Sequence, residues 1–458
     1  MKYRILNRAL SNFTIEQHMA RVELSEAIAH QWLDSGIRYA VVNGLERYPR
    51  EMGRDIDIVM AKSDCATAIK DAISVSYRLG WKDFLVRNNA YGLYQVTFVG
   101  DNISMQFDLT YSDINWLMGF VNQISIDKTL DDYQMKGPFK VSMSGTDLKA
   151  IRCLYYSHQN KFVERLPFWI ELLQSQRAEA YKSLFGEKIF RGFRRAVFTG
   201  LPALQEWQKS FRVKLLTQHL IKHPISSLIN VLTNIKRRVC LYIKNAPPVI
   251  AIVGPDGVGK STNIRIASEW LGRYTLDVGV KHWRPGLLPS LAMLAGKENP
   301  QTNTAVAPRR EKGNFNTIRL LYYWLDFFLG HWLRDHYPPI TEFHLILYDR
   351  CALDMSVDPL RYGLSSNKGT MLLYRLIPKP DITIMLYDKV DRIYERKNEL
   401  SKDEIARQIE AWKLHYKEGR IDTILHVSGS EEEMGKKLGQ VILDFLAQYY
   451  SLKKCGLT

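Results

Sequence analysis

The chain has 458 residues, 46% of them apolar, and a formal net charge of +15 at pH 7. This length allows two or three domains with cores of their own, and no repeat or low-complexity tract stands out. No uncharged run is long enough to span a membrane and no apolar signal segment follows Met1, so we expect a cytoplasmic protein. Five scattered cysteines without metal-ligand spacing are typical of thiols in a reducing compartment.

The first segment combines helix and strand patterns. An amphipathic helix is predicted over residues 14–35, and a strand over 37–42 leads to Asn43-Gly44. In the next strand, residues 54–60, the period of two puts Asp55 and Asp57 on one face. A later strand, residues 103–109, carries Asp108. Because adjacent carboxylates repel, a shared divalent cation is one explanation for this arrangement, and solvated aspartates on an edge strand are the other.

These residues resemble the nucleotidyltransferase superfamily, which has the polymerase-β-like fold. The family pattern is a glycine turn after a strand, Asp-x-Asp on the next strand and a later single Asp, which Gly44, Asp55, Asp57 and Asp108 match. The resemblance implies an α+β domain over residues 1–145 in which the three aspartates hold Mg²⁺ for nucleotidyl transfer. Leu45 departs from the pattern, since active members carry Ser or another small residue there. The domain is therefore either an active transferase or a ligand-binding relative.

Residues 146–246 are predicted to form a helical, strongly basic connector. Within residues 188–244 there are twelve Lys or Arg and one acid, which leaves a net charge of +11. Residues 225–244 have an amphipathic pattern with a basic cluster near its end. Three interpretations stay open: a connector with solvated charges, a helix on the anionic inner face of a membrane, or a contact with nucleic acid. Nucleic acid is the least favoured, since basic and aromatic residues do not interleave as in RNA-binding modules.

The most specific motif begins at residue 249. Five apolar residues, 249–253, precede Gly-Pro-Asp-Gly-Val-Gly-Lys-Ser-Thr, and a helical pattern follows. A strand, a glycine-rich turn and a helix are the context of a P-loop, whose backbone amides enclose phosphates. Lys260 would reach the outer phosphates of ATP, and the Ser261 hydroxyl would hold Mg²⁺. The predicted nucleotide-binding residues are Gly254, Asp256, Gly257, Val258, Gly259, Lys260, Ser261 and Thr262.

The rest of the chain alternates strand and helix patterns. Further strands are predicted over 276–282, 343–348, 380–386 and 423–427, and helices over 317–331, 390–398 and 431–449. With residues 249–253 these strands predict a five-stranded parallel sheet, so the fold class of this region, residues 247–458, is α/β. Asp349-Arg350 follows a strand, and the carboxyl edge of such a sheet faces the ligand crevice.

Residues 248–450 resemble the thymidylate kinase-like branch of P-loop kinases. The resemblance is carried by the P-loop, Arg284-Pro285-Gly286, Asp349-Arg350, Pro380-Asp381-Ile382-Thr383 and Glu395-Arg396-Lys397. It implies ATP and Mg²⁺ as cofactors and an acceptor held by the P-loop acid and by the Asp-Arg pair. The implied catalytic residues are Lys260, Asp256, Asp349, Arg350, Arg392 and Arg396, and the implied acceptor-binding residues are Arg284, Asp349 and Arg350.

Two departures indicate an acceptor other than thymidylate. Phe327 stands where thymidylate kinases carry a base-reading arginine, and the segment after Arg350 lacks their Ser-rich sequence. We expect a small-molecule acceptor of nucleotide, sugar or sugar-phosphate type. Residues 284–289 and 358–362 are similar to uncharacterised thymidylate kinase-like proteins of bacterial polysaccharide gene clusters, and the kinase resemblance is compatible with a homodimer. A nucleic acid end-processing enzyme and a non-catalytic, nucleotide-dependent membrane switch are the alternatives.

Overall fold

The computed structural model divides the chain into two compact units. The N-terminal unit comprises Asn12–Ile243 with Cys455–Thr458, and the C-terminal unit is built around Lys244–Lys454. The structure describes residues 14–143 with gaps at 46, 51, 90–91, 112–113, 117–120 and 125, then 166–222 with a gap at 176–177, and parts of 224–236. It further describes residues 246–283 with a gap at 275, 288–289, 316–330, 344–362, 377–452, 455 and 457. The predicted domain boundaries stay a prediction.

The N-terminal unit contains a mixed seven-stranded sheet. Its elements are α1 (Ile15–Asp34), β1 (Tyr39–Asn43), β2 (Asp55–Met60), α2 (Cys65–Arg78), β3 (Asp83–Asn89), β4 (Leu93–Gly100), β5 (Ile103–Thr110), β6 (Ile114–Trp116), β7 (Val121–Ile124), α3 (Ile126–Asp131), β8 (Tyr133–Lys136) and β9 (Phe139–Ser142). The strand order is β3-β4-β5-β2-β1-β9-β8, and β6 pairs with β7 separately. The pairs β2–β5 and β1–β9 are parallel, and the other pairs are antiparallel.

Local sequence explains how α1 is held against this sheet. Thr14 and Gln17 form a capping box at the helix start, which satisfies backbone amides that have no partner within the helix. The buried Trp32 donates its indole N–H to the Ala68 carbonyl at 2.9 Å, and the buried Arg21 donates to the Ser104 carbonyl at 2.9 Å. The predicted first helix and the strands that follow it are thereby confirmed, with ends that shift by one or two residues.

Among the described residues between 166 and 222, the N-terminal unit continues with the helices α4 (Leu166–Gln174), α5 (Ala178–Phe185), α6 (Glu187–Thr199) and α7 (Leu201–Lys222). Their buried aromatic residues form one cluster with Ala40 and Val59 of the sheet, so these basic helices pack on it through an apolar face. Residues 146–165 of the predicted helical connector lie outside the described residues. In the part of the chain that the structure describes, no helix combines the length and apolarity needed to cross a membrane.

The C-terminal unit is a parallel α/β structure, as the sequence predicts. Its elements are β10 (Val249–Val253), α8 (Lys260–Leu271), β11 (Val278–His282), α9 (Asn316–Gly330), β12 (Leu345–Asp349), α10 (Asp354–Val357), β13 (Ile382–Tyr387), α11 (Val390–Arg396), α12 (Lys402–Lys417), β14 (Thr423–His426) and α13 (Glu431–Tyr449). The sheet order is β11-β12-β10-β13-β14 with every pair parallel. The central strand β10 is entirely buried, which explains its uninterrupted apolar sequence.

The last helix, α13, packs closely along α8. A methyl group at Gly435 would lie 2.4 Å from a side-chain carbon of Ile266, and one at Gly439 would lie 2.5 Å from the Trp270 ring. Both positions therefore need a residue without a side chain, because a β-carbon would require the helices to separate. This packing matters for the site, since α8 begins at Lys260.

Candidate active site

The segment 254–259 turns from β10 into α8 in the geometry of a P-loop. Gly254 has φ +140°, and a methyl group there would lie 2.2 Å from the Leu386 carbonyl oxygen of β13. Gly257 and Gly259 also have positive φ, whereas Val258 is buried beside them. Glycines at these places let the loop lie tightly against the sheet edge and direct backbone amides toward its centre.

Lys260 lies beneath this loop. Its ammonium group donates to the carbonyl oxygens of Gly254 at 2.8 Å and Pro255 at 2.9 Å, and it lies 3.7 Å from an Asp256 carboxylate oxygen. Burial, with a contribution from the Arg350 charge, lowers the pKa of Lys260, while nearby carboxylates oppose the shift. The lysine is thus a buried cation held by two backbone carbonyl oxygens, and its three-donor ammonium group is able to donate to phosphate oxygens instead.

Asp349, the last residue of β12, faces the start of α8. The Ser261 hydroxyl donates to one Asp349 carboxylate oxygen at 2.5 Å, and His282 Nδ1 lies 3.6 Å from the same oxygen. Burial alone would raise the pKa of Asp349, but hydrogen bonds from His282 and Ser261 and the charge of Lys260 lower it to about 2. The other carboxylate oxygen is buried without a hydrogen-bond partner among the described residues. A hydroxyl beside an ionised carboxylate with an unused oxygen is a donor set that fits Mg²⁺.

Two arginines converge on the acid of the P-loop. Arg350 pairs with one Asp256 carboxylate oxygen and Arg361 with the other. Burial opposes ionisation of Asp256, but the charges of Lys260, Arg350 and Arg361 outweigh it and hold its pKa well below the usual range. Arg350 also lies 3.6 Å from a carboxylate oxygen of the buried Asp354. The arrangement presents guanidinium groups at the loop, as recognition of a second anion requires.

Aromatic side chains line the neighbouring part of the unit. Trp283 stacks on Tyr362 with ring centroids 4.5 Å apart and an interplanar angle of 19°. Phe327 packs edge-on against Trp283, with ring centroids 6.0 Å apart, so it forms an apolar wall beside the stacked pair. The Tyr362 hydroxyl is buried and has no hydrogen-bond partner within the described parts of the chain. Burial raises the pKa of Tyr362 well above its ordinary value, so its hydroxyl stays protonated and can donate to a ligand.

The helix α11 brings further cations to the loop. A methyl group at Gly257 would lie 3.1 Å from Cβ of Lys397, the residue that directly follows α11. Arg396 and Arg392 lie 3.3 Å and 3.9 Å from carboxylate oxygens of Asp388. The Asp388 carboxylate is fully buried at the end of β13, while both arginines are about half exposed. Asp388 therefore pairs with two half-exposed arginines of α11, the helix whose Ile393 lies beside Gly257.

Most of the sequence-predicted residues of the C-terminal unit meet at this edge of the sheet. Asp256 contacts both Lys260 and Arg350, and Ser261 contacts Asp349. The charge of Asp349 also acts on Lys260. Thr262 is the third residue of α8, and Arg284 lies outside the described residues. Sequence reasoning missed five residues of the site: His282, Asp354, Arg361, Tyr362 and Asp388. The quoted motif at 358–362 contained two of them, but its residues had no assigned role.

The structure also brings together part of the acidic pattern in the N-terminal unit. Parallel pairing of β2 and β5 sets Asp57 directly opposite Asp108. Asn43 donates to an Asp57 carboxylate oxygen at 3.0 Å, and a methyl group at Gly44 would lie 2.6 Å from the Asp55 carbonyl oxygen. Among the described residues, no group of three or more His, Cys, Asp or Glu side chains is placed to hold a metal ion. The metal site of Asp55, Asp57 and Asp108 stays a prediction.

Comparison with known proteins adds a limited likeness of fold. No protein-family model matches the chain, and no curated protein matches it. Thymidylate kinase from Candida albicans is 17% identical, with 45% of this chain and 94% of that chain covered and a TM-score of 0.31. Thymidylate kinase from Ehrlichia chaffeensis is 15% identical over 43% and 99% of the two chains, with a TM-score of 0.29. Shikimate kinase from Acinetobacter baumannii is 15% identical over 44% and 97%, with a TM-score of 0.26. With values this low, the functional argument rests on the site itself.

Proposed function

We propose that the C-terminal unit is a P-loop kinase that transfers the terminal phosphoryl group of ATP to a small-molecule acceptor. The observation that carries the proposal is the buried Lys260 under a glycine loop, directly beside the Ser261–Asp349 contact and the Arg350–Asp256 pair. Three cations and three carboxylates, those of Asp256, Asp349 and Asp354, meet within this site. Such a site is nearly neutral, and a bound Mg²⁺ would add the charge that a triphosphate requires.

Each residue has a role that follows from its place. An acceptor oxygen attacks the terminal phosphorus as the bond to the bridging oxygen breaks, and ADP leaves with the electrons of that bond. A hydroxyl acceptor releases its proton to water, whereas the ionised oxygen of an acceptor phosphate carries none. Lys260 exchanges its carbonyl partners for phosphate oxygens, which holds the transferred group in line. Ser261 and Asp349 would hold Mg²⁺, whose chemistry is to neutralise charge on the phosphate oxygens. Arg392 and Arg396 stabilise the charge that spreads over the transferred group.

The acceptor is proposed to be an anionic molecule of nucleotide, sugar or sugar-phosphate type. Arg350 and Arg361 both end at Asp256, so an acceptor phosphate could take over guanidinium hydrogen bonds next to the P-loop. The stacked Trp283 and Tyr362 provide a flat surface for a ring. Phe327 offers no hydrogen bond to a pyrimidine, which weakens discrimination for thymine.

A transfer assay tests the proposal. Radiolabelled ATP is incubated with the full chain and with nucleoside monophosphates, sugars and sugar phosphates in turn, and labelled products are separated. We expect one acceptor class to be labelled by the wild type and by Lys413→Ala, a surface variant on α12, but not by Lys260→Ala. Labelling that survives Lys260→Ala would refute the proposed site. Transfer only to oligonucleotide ends would favour the end-processing alternative, and ATP binding without transfer would favour the switch.

A second candidate function belongs to the N-terminal unit. We propose that it binds or transfers a nucleotide. The proposal is supported by the parallel pairing of β2 and β5, which places Asp57 beside Asp108. In a two-step scheme, the C-terminal unit would phosphorylate a metabolite that the N-terminal unit then nucleotidylates. The test adds all four nucleoside triphosphates to the phosphorylated product and compares the wild type with a chain carrying both Asp55→Ala and Asp57→Ala. An undiminished yield of nucleotidylated product in that variant would refute transferase activity.

A further inference from the structure

The helical segment after α7 exposes a row of large apolar side chains. Ile225, Leu228, Ile229, Leu232 and Ile235 are 74%, 60%, 57%, 57% and 52% exposed. Their spacing of three and four residues places them on one side of a helix. We call these five residues the apolar stripe. A single exposed leucine is ordinary in a protein, but five on one helical face form a contiguous patch of the kind that marks an interaction surface.

The burial of one polar residue contrasts with the exposure of the apolar stripe. Ser227 is fully buried, and at about 100° per residue it lies on the side of the helix away from the centre of the apolar stripe. An amphipathic helix in a globular domain normally hides its apolar face and exposes its polar face. Here the serine is buried and the five aliphatic side chains face solvent.

The charges of the same region restrict what can cover the apolar stripe. Residues 188–244 carry twelve Lys or Arg and one acid. Lys188, Arg191, Arg194, Lys214 and Lys236 are among the exposed cations of the N-terminal unit. A second copy of this chain would bring an equally basic surface against the first, which like-charge repulsion disfavours. A nucleic acid would satisfy the cations but offers no apolar environment for isoleucine and leucine side chains.

We propose that the apolar stripe docks the protein on a bilayer surface that contains anionic lipids. The five aliphatic side chains insert between the lipid headgroups, and the exposed Lys236 contacts their negative charges. The interaction is peripheral, because a helix with one apolar side lies in the plane of the interface. This inference depends on the helical segment alone and does not require the kinase activity.

Vesicle cosedimentation of the full chain tests the docking. Phosphatidylcholine vesicles with and without phosphatidylserine serve as probes, at low and high salt. We expect binding to the serine-containing vesicles only, weakened by salt. Leu228→Asp should lower the vesicle affinity by about tenfold or more, because one buried leucine contributes that much. Lys236→Gln should lower it by about fivefold.

The matched control is Leu414→Asp, since Leu414 is a 55% exposed leucine on α12 outside the apolar stripe; it should bind like the wild type. Thermal unfolding of each variant checks folding, and Ile235→Ser replaces Leu228→Asp if that variant unfolds. Failure of the wild-type protein to cosediment with anionic vesicles would overturn the proposal. So would equal binding of Leu228→Asp and the wild type, a dimer in sedimentation equilibrium that Leu228→Asp dissociates, or binding to oligonucleotides but not to vesicles.

Discussion

Replacement of Gly254 by alanine should show whether the loop needs glycine for lack of space or only for its positive φ. The new methyl group would lie 2.2 Å from the Leu386 carbonyl oxygen, about 1 Å inside the shortest carbon–oxygen contacts of folded proteins. Gly419 is the matched control, because it has φ +68° but open space around the added methyl group. Gly419→Ala should lower the free energy of unfolding by only about 1 kcal/mol, the cost of a non-glycine residue in the left-handed region. Gly254→Ala adds a clash with the neighbouring strand β13 and should lower the free energy of unfolding by about 3 kcal/mol or more.

Two assays on both variants measure this difference. Urea unfolding gives the loss of free energy, and fluorescence titration with a labelled ATP analogue gives nucleotide affinity. We expect Gly419→Ala to bind nucleotide like the wild type. We expect Gly254→Ala to lose at least about a hundredfold in affinity even below the unfolding transition, because the loop must move away from β13 by about the missing 1 Å. Equal unfolding free energies for the two variants, with nucleotide affinity retained, would refute this account of the loop.

Three further predictions concern the other side chains of the site. Arg361→Ala should raise the acceptor KM by about tenfold to a hundredfold in steady-state kinetics, since a charged hydrogen bond is lost; Arg265→Ala, at a surface pair on α8, should not. The pKa of Asp349 is lowered to about 2 from an ordinary value near 4, so ionised Asp349 adds about 2 kcal/mol to the free energy of unfolding. This contribution is complete above about pH 4 and is lost as the pH falls through 2. Asp349→Asn should therefore flatten the acid limb of unfolding free energy against pH, and an unchanged limb would contradict the assigned pKa. Asp388→Asn should lower kcat by about tenfold with acceptor KM nearly constant, because Arg392 and Arg396 lose their anchor; a change in KM alone would argue against that role.

Local patterns in the sequence were sufficient to predict many of the helices and strands. The alternation in β2 places Ile56 and Ile58 in the core, and the glycine spacing after β10 located Lys260 and Ser261. These features depend on residues close together in the chain, where periodicity and steric limits act directly. Helix α12 was missed, since its buried Ile405, Ile409 and Trp412 are scattered among charged residues.

The remaining site residues depend on tertiary placement. Arg361 reaches Asp256 across 105 positions of sequence, so no local pattern marks the pair. His282 meets Asp349 because β11 and β12 are in parallel register, and that register becomes visible only when the sheet is assembled. Asp388 follows an apolar strand like many turn residues, and only its complete burial beside two arginines distinguishes it.

The close contact of α13 with α8 links the last helix to the glycine loop that precedes Lys260. Gly435 and Gly439 let α13 lie against Ile266 and Trp270 of α8. This packing supports α8, whose first residue is Lys260. Enlarging either glycine, or deleting this helix to obtain a shorter protein for crystallisation, would tilt α8 and disturb the loop without altering any residue that touches a ligand. Any shortened version of the protein should therefore keep its polypeptide at least through Tyr449.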